Sequence, residues 1–302
     1  MNIERSWNGI GQGALEGWSW SVPLGLTGEL VAPVAVVGDT IAATATSLRD
    51  GSARAVLVSG DAVTIELETG TYVAAGAPGT YVVGMVGFGK GGFRLTIEGG
   101  RHILPLPAGA ESMDIDCVNG SGMVGGSAEI RGIECAAVWY PDGVDVMPEF
   151  KRVTAIGESG AIMAISRNGH PAHVAKGSTF ATPGCAISVN GVGDALVNAG
   201  GSISVWRESG GIEAVPIRGY DRATAIGWSA SGTILGFGVA KTGLVQHWLY
   251  DPRLGLTVLS GQEIHPGLTI KEVSAIGSSG TLAGTAVTQT GRFLVRLDPP
   301  TP

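Results

Sequence analysis

Tyr220-Asp221-Arg222 is the densest group of side chains in this chain with chemical capability, placing a phenol donor, a carboxylate and a permanent cation within one turn. A carboxylate that takes or gives a proton, beside donors that hold developing negative charge, is the minimum set for general acid–base catalysis. His265, in Gly261-Gln262-Glu263-Ile264-His265-Pro266-Gly267, adds a group that titrates near neutral pH on a long connection. Asp114 and Asp116 lie two apart and share one side of a strand. If the turn after that strand has the length of Ile226 to Gly232, Asp116 takes an isoleucine's place, where a buried carboxylate costs several kcal/mol unless bonded. A one-residue bulge would instead return Ile115 to the core and leave both aspartates hydrogen-bonded. The spacing predicts Asp221 or His265 as the acid–base group, Tyr220 and Arg222 as orienting groups, and Asp116 as an alternative. Trp228, Asp114, Glu134, His170 and Glu263 are the predicted substrate contacts, and Glu149, Lys151 and Arg152 stand on the same rim. A plain solvated rim is the competing reading.

The elements that must position these groups repeat. A hydrophobic strand closing on a Gly turn returns seven times, at Gly38, Gly79, Gly122, Gly160, Gly193, Gly232 and Gly280. A period of about 40 residues with four short strands predicts an all-β, seven-bladed β-propeller of four-stranded antiparallel sheets. The sixth unit is the clearest, with strands over Ala223–Ile226, Thr233–Val239, Val245–Tyr250 and Leu256–Leu259 and a Pro252 to Gly255 turn between the last two. Trp139, Trp206 and Trp248 share the third-strand register and read as packing between blades. A ring must close. Only two strands fit after Gly280, and Trp18 to Thr27 matches the outer strands of unit six, so the N-terminal segment is predicted to complete the last blade. Residues 1–302 then form one domain, with 1–16 a tail or an extra strand.

Ala223-Thr224-Ala225-Ile226, the Ser231-Gly232 turn, Gly236, and His247-Trp248-Leu249-Tyr250-Asp251-Pro252 before Gly255 resemble the HAF-type repeat of bacterial "probable extracellular repeat" proteins. The resemblance is good over 223–259, fair over 115–146 and 153–165, and weak before Gly70. It implies the propeller fold and no defined activity. The chain departs from that family in showing no signal peptide.

Composition agrees with a chain that turns often and buries a large core: 50 Gly and 15 Pro in 302 residues, 44% hydrophobic and 15% charged. A net charge of −7 gives no electrostatic reason to approach nucleic acid or an anionic membrane. No apolar run reaches the roughly 18 residues of a membrane helix, and Met1 to Arg5 has no hydrophobic signal region, which predicts a cytoplasmic protein. Cys117, Cys135 and Cys185 are odd in number, lack CxxC spacing and read as small buried thiols. No local cluster supplies three metal ligands, and His170 and His173 face opposite ways across Pro171, so neither metal nor cofactor is expected. Gly9 to Gly13 and Gly87 to Gly92 superficially resemble phosphate loops but precede no helical pattern. Asn119-Gly120-Ser121 belongs to a tight turn.

Two functions fit these residues. The first is a cofactor-independent lyase, isomerase or cyclase acting by general acid–base catalysis on a small, largely apolar organic substrate at the channel mouth. The second is a non-catalytic platform for a peptide, protein or glycan. Concavity separates them: an enzyme needs a pocket with convergent titratable groups, whereas a platform presents a broad aromatic and Arg-rich rim.

Overall fold

The computed structural model describes residues 7–10, 15–23, 26, 28–77, 79–87, 89–175, 178–190, 192–207 and 209–300. Of the segments read above, residues 1–6, the Gly11-Gln12-Gly13 run, Leu24, Gly25, Thr27 and Phe88 lie outside the described residues. Every regular element among the described residues is a β-strand, and no helix is long and apolar enough to cross a membrane.

The strands form seven antiparallel sheets, the blades of a seven-bladed β-propeller. Blades 1 to 6 are four-stranded meanders over residues 29–66, 71–104, 110–147, 150–181, 185–214 and 220–258. Blade 7 takes three strands from 268–298 and its fourth from Ser19–Val22, in the register Ser19↔Asp298, Trp20↔Leu297 and Ser21↔Arg296. Closure by an N-terminal strand is therefore as the sequence predicts. Trp7–Ile10 pairs beyond that strand, and Glu263–His265 pairs with the start of Leu268–Ile276 on the opposite edge.

By its contacts the chain divides into two units, residues 1–73, 219–222 and 226–302, and residues 74–218 with 223–225. The first contains blades 1 and 7 and most of blade 6; the second contains blades 3, 4 and 5 and most of blade 2. Within the first unit, Trp20, Leu235, Leu249, Leu268, Val273 and Leu297 share one core. In the second, Val83, Met113, Ile115, Val124 and Trp139 do so, each side chain contributing about 1.5–3 kcal/mol by leaving water. Trp139 is fully buried, and its indole N–H donates to the Pro105 carbonyl at 2.8 Å.

The seven turn glycines all adopt positive φ, from 58° at Gly38 to 89° at Gly193 and Gly280. Five turns close alike, the turn's first residue donating to the carbonyl four residues on and the Gly N–H donating back to that first residue, as at Asn119, Gly157, Asn190, Ser229 and Gly277. The left-handed conformation strains any residue with a Cβ, which is why glycine marks every blade. Blades 6 and 7 brace this turn from the side. Thr233 donates to Asp251 at 3.2 Å and Thr281 to Asp298 at 2.8 Å, with Ser231 and Ser279 bonded to those threonines.

One hairpin breaks the turn rule. Arg131, with φ 53°, and Gly132, with φ 71°, form the two-residue turn between Ile130 and Ile133. Such a turn favours Asn-Gly, because the first position must also be left-handed. Arg131→Asn should therefore raise stability by about 0.5–1 kcal/mol. An unchanged or lower urea midpoint would contradict this.

The first strands carry a second recurring device. Their pairing shifts at Pro33/Ala35, Ile115/Cys117, Val153/Ala155, Ala186/Ser188 and Val273/Ala275. Each shift is a bulge that leaves one residue unpaired: Val34, Asp116, Thr154, Ile187 or Ser274. The isoleucine reading of Asp116 is thereby corrected. Ile115 is buried in the core, and Asp116 is the bulged residue: the turn to Gly122 has the length of the one from Ile226 to Gly232, but the bulge takes this position out of the core register.

Candidate active site

Asp116 is the one acid among the five bulged residues. The hydroxyl groups at two of the other positions satisfy themselves by donating to backbone: Ser274 to the Pro33 carbonyl at 2.6 Å and Thr154 to the Met163 carbonyl at 3.4 Å. A carboxylate can only accept, so at this position it gains no equivalent bond. Asp116 Oδ2 is enclosed and has no hydrogen bond, although Arg152 Nε lies 3.1 Å away, because the N–H is not aimed at it.

Arg152, from the first strand of blade 4, is the focus of the site. It pairs with Asp114 Oδ2, lies against Asp116, and has Glu134 Oε1 3.5 Å from Nε. Asp114 also accepts the Ile115 amide at 3.2 Å. Three carboxylates around one guanidinium leave an excess of negative charge, and only Asp116 is well covered, its side chain 25% exposed. Burial pushes the Asp116 carboxyl up to about 6; Arg152 opposes the rise, and Asp114 and Glu134 add to it. The result is a group that changes protonation near neutral pH beside a fixed cation. That pair can deliver or accept a proton and steady an anion formed next to it.

Cys185 borders this cluster, half-buried, with its thiol raised mainly by burial and further by Asp116, against a Thr154 hydrogen bond that lowers it. Cys117 and Cys135 are buried, as expected, so Cys185 departs from the buried-thiol expectation in being partly open. Burial, with a smaller push from Asp116, also holds the Cys117 thiol far above its usual range, so it stays protonated.

The other predicted residues occupy different settings. Tyr220, Asp221 and Arg222 open the first strand of blade 6, with Asp221 and Arg222 exposed. The Tyr220 ring covers Gly238, where an added Cβ would stand 2.8 Å from the ring, and it tilts against Trp248 with centroids 6.4 Å apart. Its hydroxyl is enclosed without a hydrogen bond, and burial raises its pKa. Trp228 ends that strand half-buried. His265 and Glu263 are built into a hairpin: Glu263 accepts the Gly267 amide at 2.6 Å, His265 Nδ1 lies 3.2 Å from the Pro266 carbonyl, and the His265 ring meets Trp20 edge-on at 5.6 Å. His170 is exposed in a turn, its amide donating to Ser166, whereas His173 is buried against the Trp206 ring.

The structure thus brings together Asp114, Asp116 and Glu134 of the predicted set, and adds Arg152, which the sequence places only on a rim. The signal for Arg152 is faint: a cation two residues before the blade 4 bulge position, which becomes informative only when the adjacent blade has acids at the matching height. Among the described residues no group of three or more His, Cys, Asp or Glu could hold a metal ion.

No protein-family model matches this chain, and no curated protein matches it. Several solved structures are similar. A catalytically inactive variant of virginiamycin B lyase from Staphylococcus aureus with quinupristin aligns at a TM-score of 0.56 and 14% identity, over 93% of this chain and 99% of that one. A streptogramin B lyase structure aligns at 0.56 and 13%, over 93% and 97%. A puromycin-hydrolyzing peptidase from Mycobacterium tuberculosis reaches 0.60 and 14%, over 93% of this chain but 54% of the peptidase. At such identities the likeness is one of fold alone: the chain is a β-propeller.

Proposed function

We propose that this protein is a cofactor-independent enzyme that acts on a small, largely apolar organic substrate, with Asp116 as the proton carrier and Arg152 as the group that steadies developing negative charge. Asp114 and Glu134 hold Arg152 in place. The observation that carries this reading is the enclosed, unbonded Asp116 Oδ2 beside a misaligned Arg152 Nε. A buried carboxylate oxygen that has a charge beside it but no hydrogen bond is costly, and such costs are tolerated where a substrate supplies the missing bond. The surplus of carboxylates disfavours phosphorylated or carboxylate substrates and suits neutral ones. Similarity in fold to lyases that act on streptogramins and to a puromycin-hydrolyzing peptidase is in keeping with chemistry on compact organic molecules. The likeness to HAF-type repeats belongs to the same proposal as kinship of fold, with no activity attached.

A panel of small neutral esters, lactones and amides, followed by mass spectrometry in the presence of a chelator, tests the proposal. Turnover should be found, should survive chelation, and should drop at least 10-fold in Arg152→Met. Asp221→Asn and His265→Ala should leave it within about two-fold, since the carboxylates paired with Arg152 are Asp114, Asp116 and Glu134. Loss in those two variants with full retention in Arg152→Met would move the site elsewhere. No turnover of any panel member, with binding of a peptide or glycan instead, would favour a non-catalytic platform.

A further inference from the structure

A different set of groups, all within the first unit, carries chemistry that the Asp116 cluster does not use. His247 lies on the third strand of blade 6, and Ser260 follows the fourth strand. The His247 backbone N–H donates to Ser260 Oγ at 2.8 Å, and the same oxygen lies 3.2 Å from His247 Nδ1. With the amide occupying one acceptor site of the hydroxyl, its hydrogen is left to donate, and the ring nitrogen is within reach. Burial lowers the proton affinity of His247, opposed by the nearby Glu272 carboxylate, so the ring is neutral at pH 7 and Nδ1 can accept.

The surroundings supply what a nucleophile needs beyond its base. The Ser260 N–H donates to the His247 carbonyl in a long, 3.4 Å bond that it shares with Leu259 at 2.8 Å, so it is the more weakly held of the two donors beside the hydroxyl. Next to the ring is an apolar surface. Phe237 is paired across the sheet with His247, its ring 6.0 Å away and 37% exposed. Val245, two residues along the strand and therefore on the same face, is 60% exposed, and the adjoining Leu244 is exposed as well. Exposed large apolar side chains beside a hydroxyl–imidazole pair form a seat for a hydrocarbon chain.

We propose that Ser260 is an acyl-accepting nucleophile, with His247 as its general base, for esters of apolar carboxylic acids held against Phe237 and Val245. Ser260 Oγ attacks the ester carbonyl carbon as its proton passes to His247 Nδ1. The carbon–oxygen bond to the alcohol breaks, and the departing alkoxide takes that proton. The acyl group remains on Oγ. Water then gives a proton to His247 as it attacks the acyl-serine, the carboxylic acid leaves, and Oγ recovers the proton.

The full chain is treated with a fluorophosphonate and, separately, with p-nitrophenyl acetate and octanoate, and adducts are located by peptide mapping. One adduct at Ser260 is expected, absent from Ser260→Ala and formed at least 10-fold more slowly in His247→Gln. The second variant keeps the Ser260 bond to the backbone amide, so it decides the matter even if Ser260→Ala fails to fold. Phe237→Ser should depress kcat/KM for the octanoate more than for the acetate. Asp116→Asn should leave the rate of adduct formation at Ser260 unchanged, which separates this site from the proposed active site. No adduct at Ser260 in the unsubstituted protein, or equal labelling rates in His247→Gln, would overturn the proposal.

Discussion

Asp116→Asn is expected to lower turnover of the proposed reaction by about 10²–10⁴-fold while making the protein more stable at neutral pH. Both effects come from one cause. The Asp116 carboxyl titrates at about 6 in the folded chain against 3.8 for an ordinary one, chiefly because burial penalises its charge. The folded protein therefore holds this proton where the unfolded chain has already released it, and stability falls as pH rises from about 4 to about 6, then levels off. The full shift corresponds to about 3 kcal/mol, and partial exposure beside Arg152 reduces the expected effect to about 1–2 kcal/mol. Asparagine carries no charge to bury. Urea melts should show the variant matching the unsubstituted protein near pH 4 and exceeding it by that amount at pH 8. A stability difference that does not vary with pH would show that Asp116 does not titrate in this range. Gain of stability with loss of activity is the signature of a group kept for function.

Gly126→Ala should be the most damaging small substitution, costing more than about 4 kcal/mol or yielding no folded protein. Gly126 pairs with Ile115 at the blade 3 bulge. A Cβ there would stand 2.0 Å from the Asp114 carbonyl oxygen, 2.9 Å from its carbon and 3.0 Å from the Ile115 Cα. All three are backbone atoms, so no rotamer change relieves the clash, and the first two strands must part where Asp114 and Asp116 are positioned. Gly143→Ala, in an exposed hairpin with nothing within 4 Å of its Cβ, is the control and should stay within about 1 kcal/mol. Near-native circular dichroism and urea midpoint in Gly126→Ala would mean that the bulge tolerates wider strand spacing than this geometry allows.

The architecture was legible because its signals are local. A turn that requires positive φ selects glycine wherever it occurs, so Gly122, Gly160, Gly232 and the others could be counted without knowing what packs on what. Trp139, Trp206 and Trp248 fell in the predicted third strands for the same reason: strand periodicity and turn chemistry act over a few residues. The closing strand was readable from Trp18 and Trp20, since a sheet lacking its outer strand must recruit one with matching alternation.

The site was legible only in part. Local density drew attention to Tyr220-Asp221-Arg222, yet the tertiary structure turns Tyr220 onto Gly238 and leaves its two charged neighbours exposed. The 261–267 segment, read as an open connection, folds back into a hairpin through Glu263 and Gly267. Arg152 meets Asp114 across 38 residues of sequence, and Asp116 faces the same guanidinium because a bulge shifts the register by one. Seven blades, four strands each, and closure by the N-terminal segment follow from the sequence alone, because turn conformation and side-chain alternation are properties of neighbouring residues. Which acid is buried, which cation it faces and where its proton affinity settles were decided only by tertiary structure, because desolvation and charge proximity depend on what adjacent blades bring to the same height.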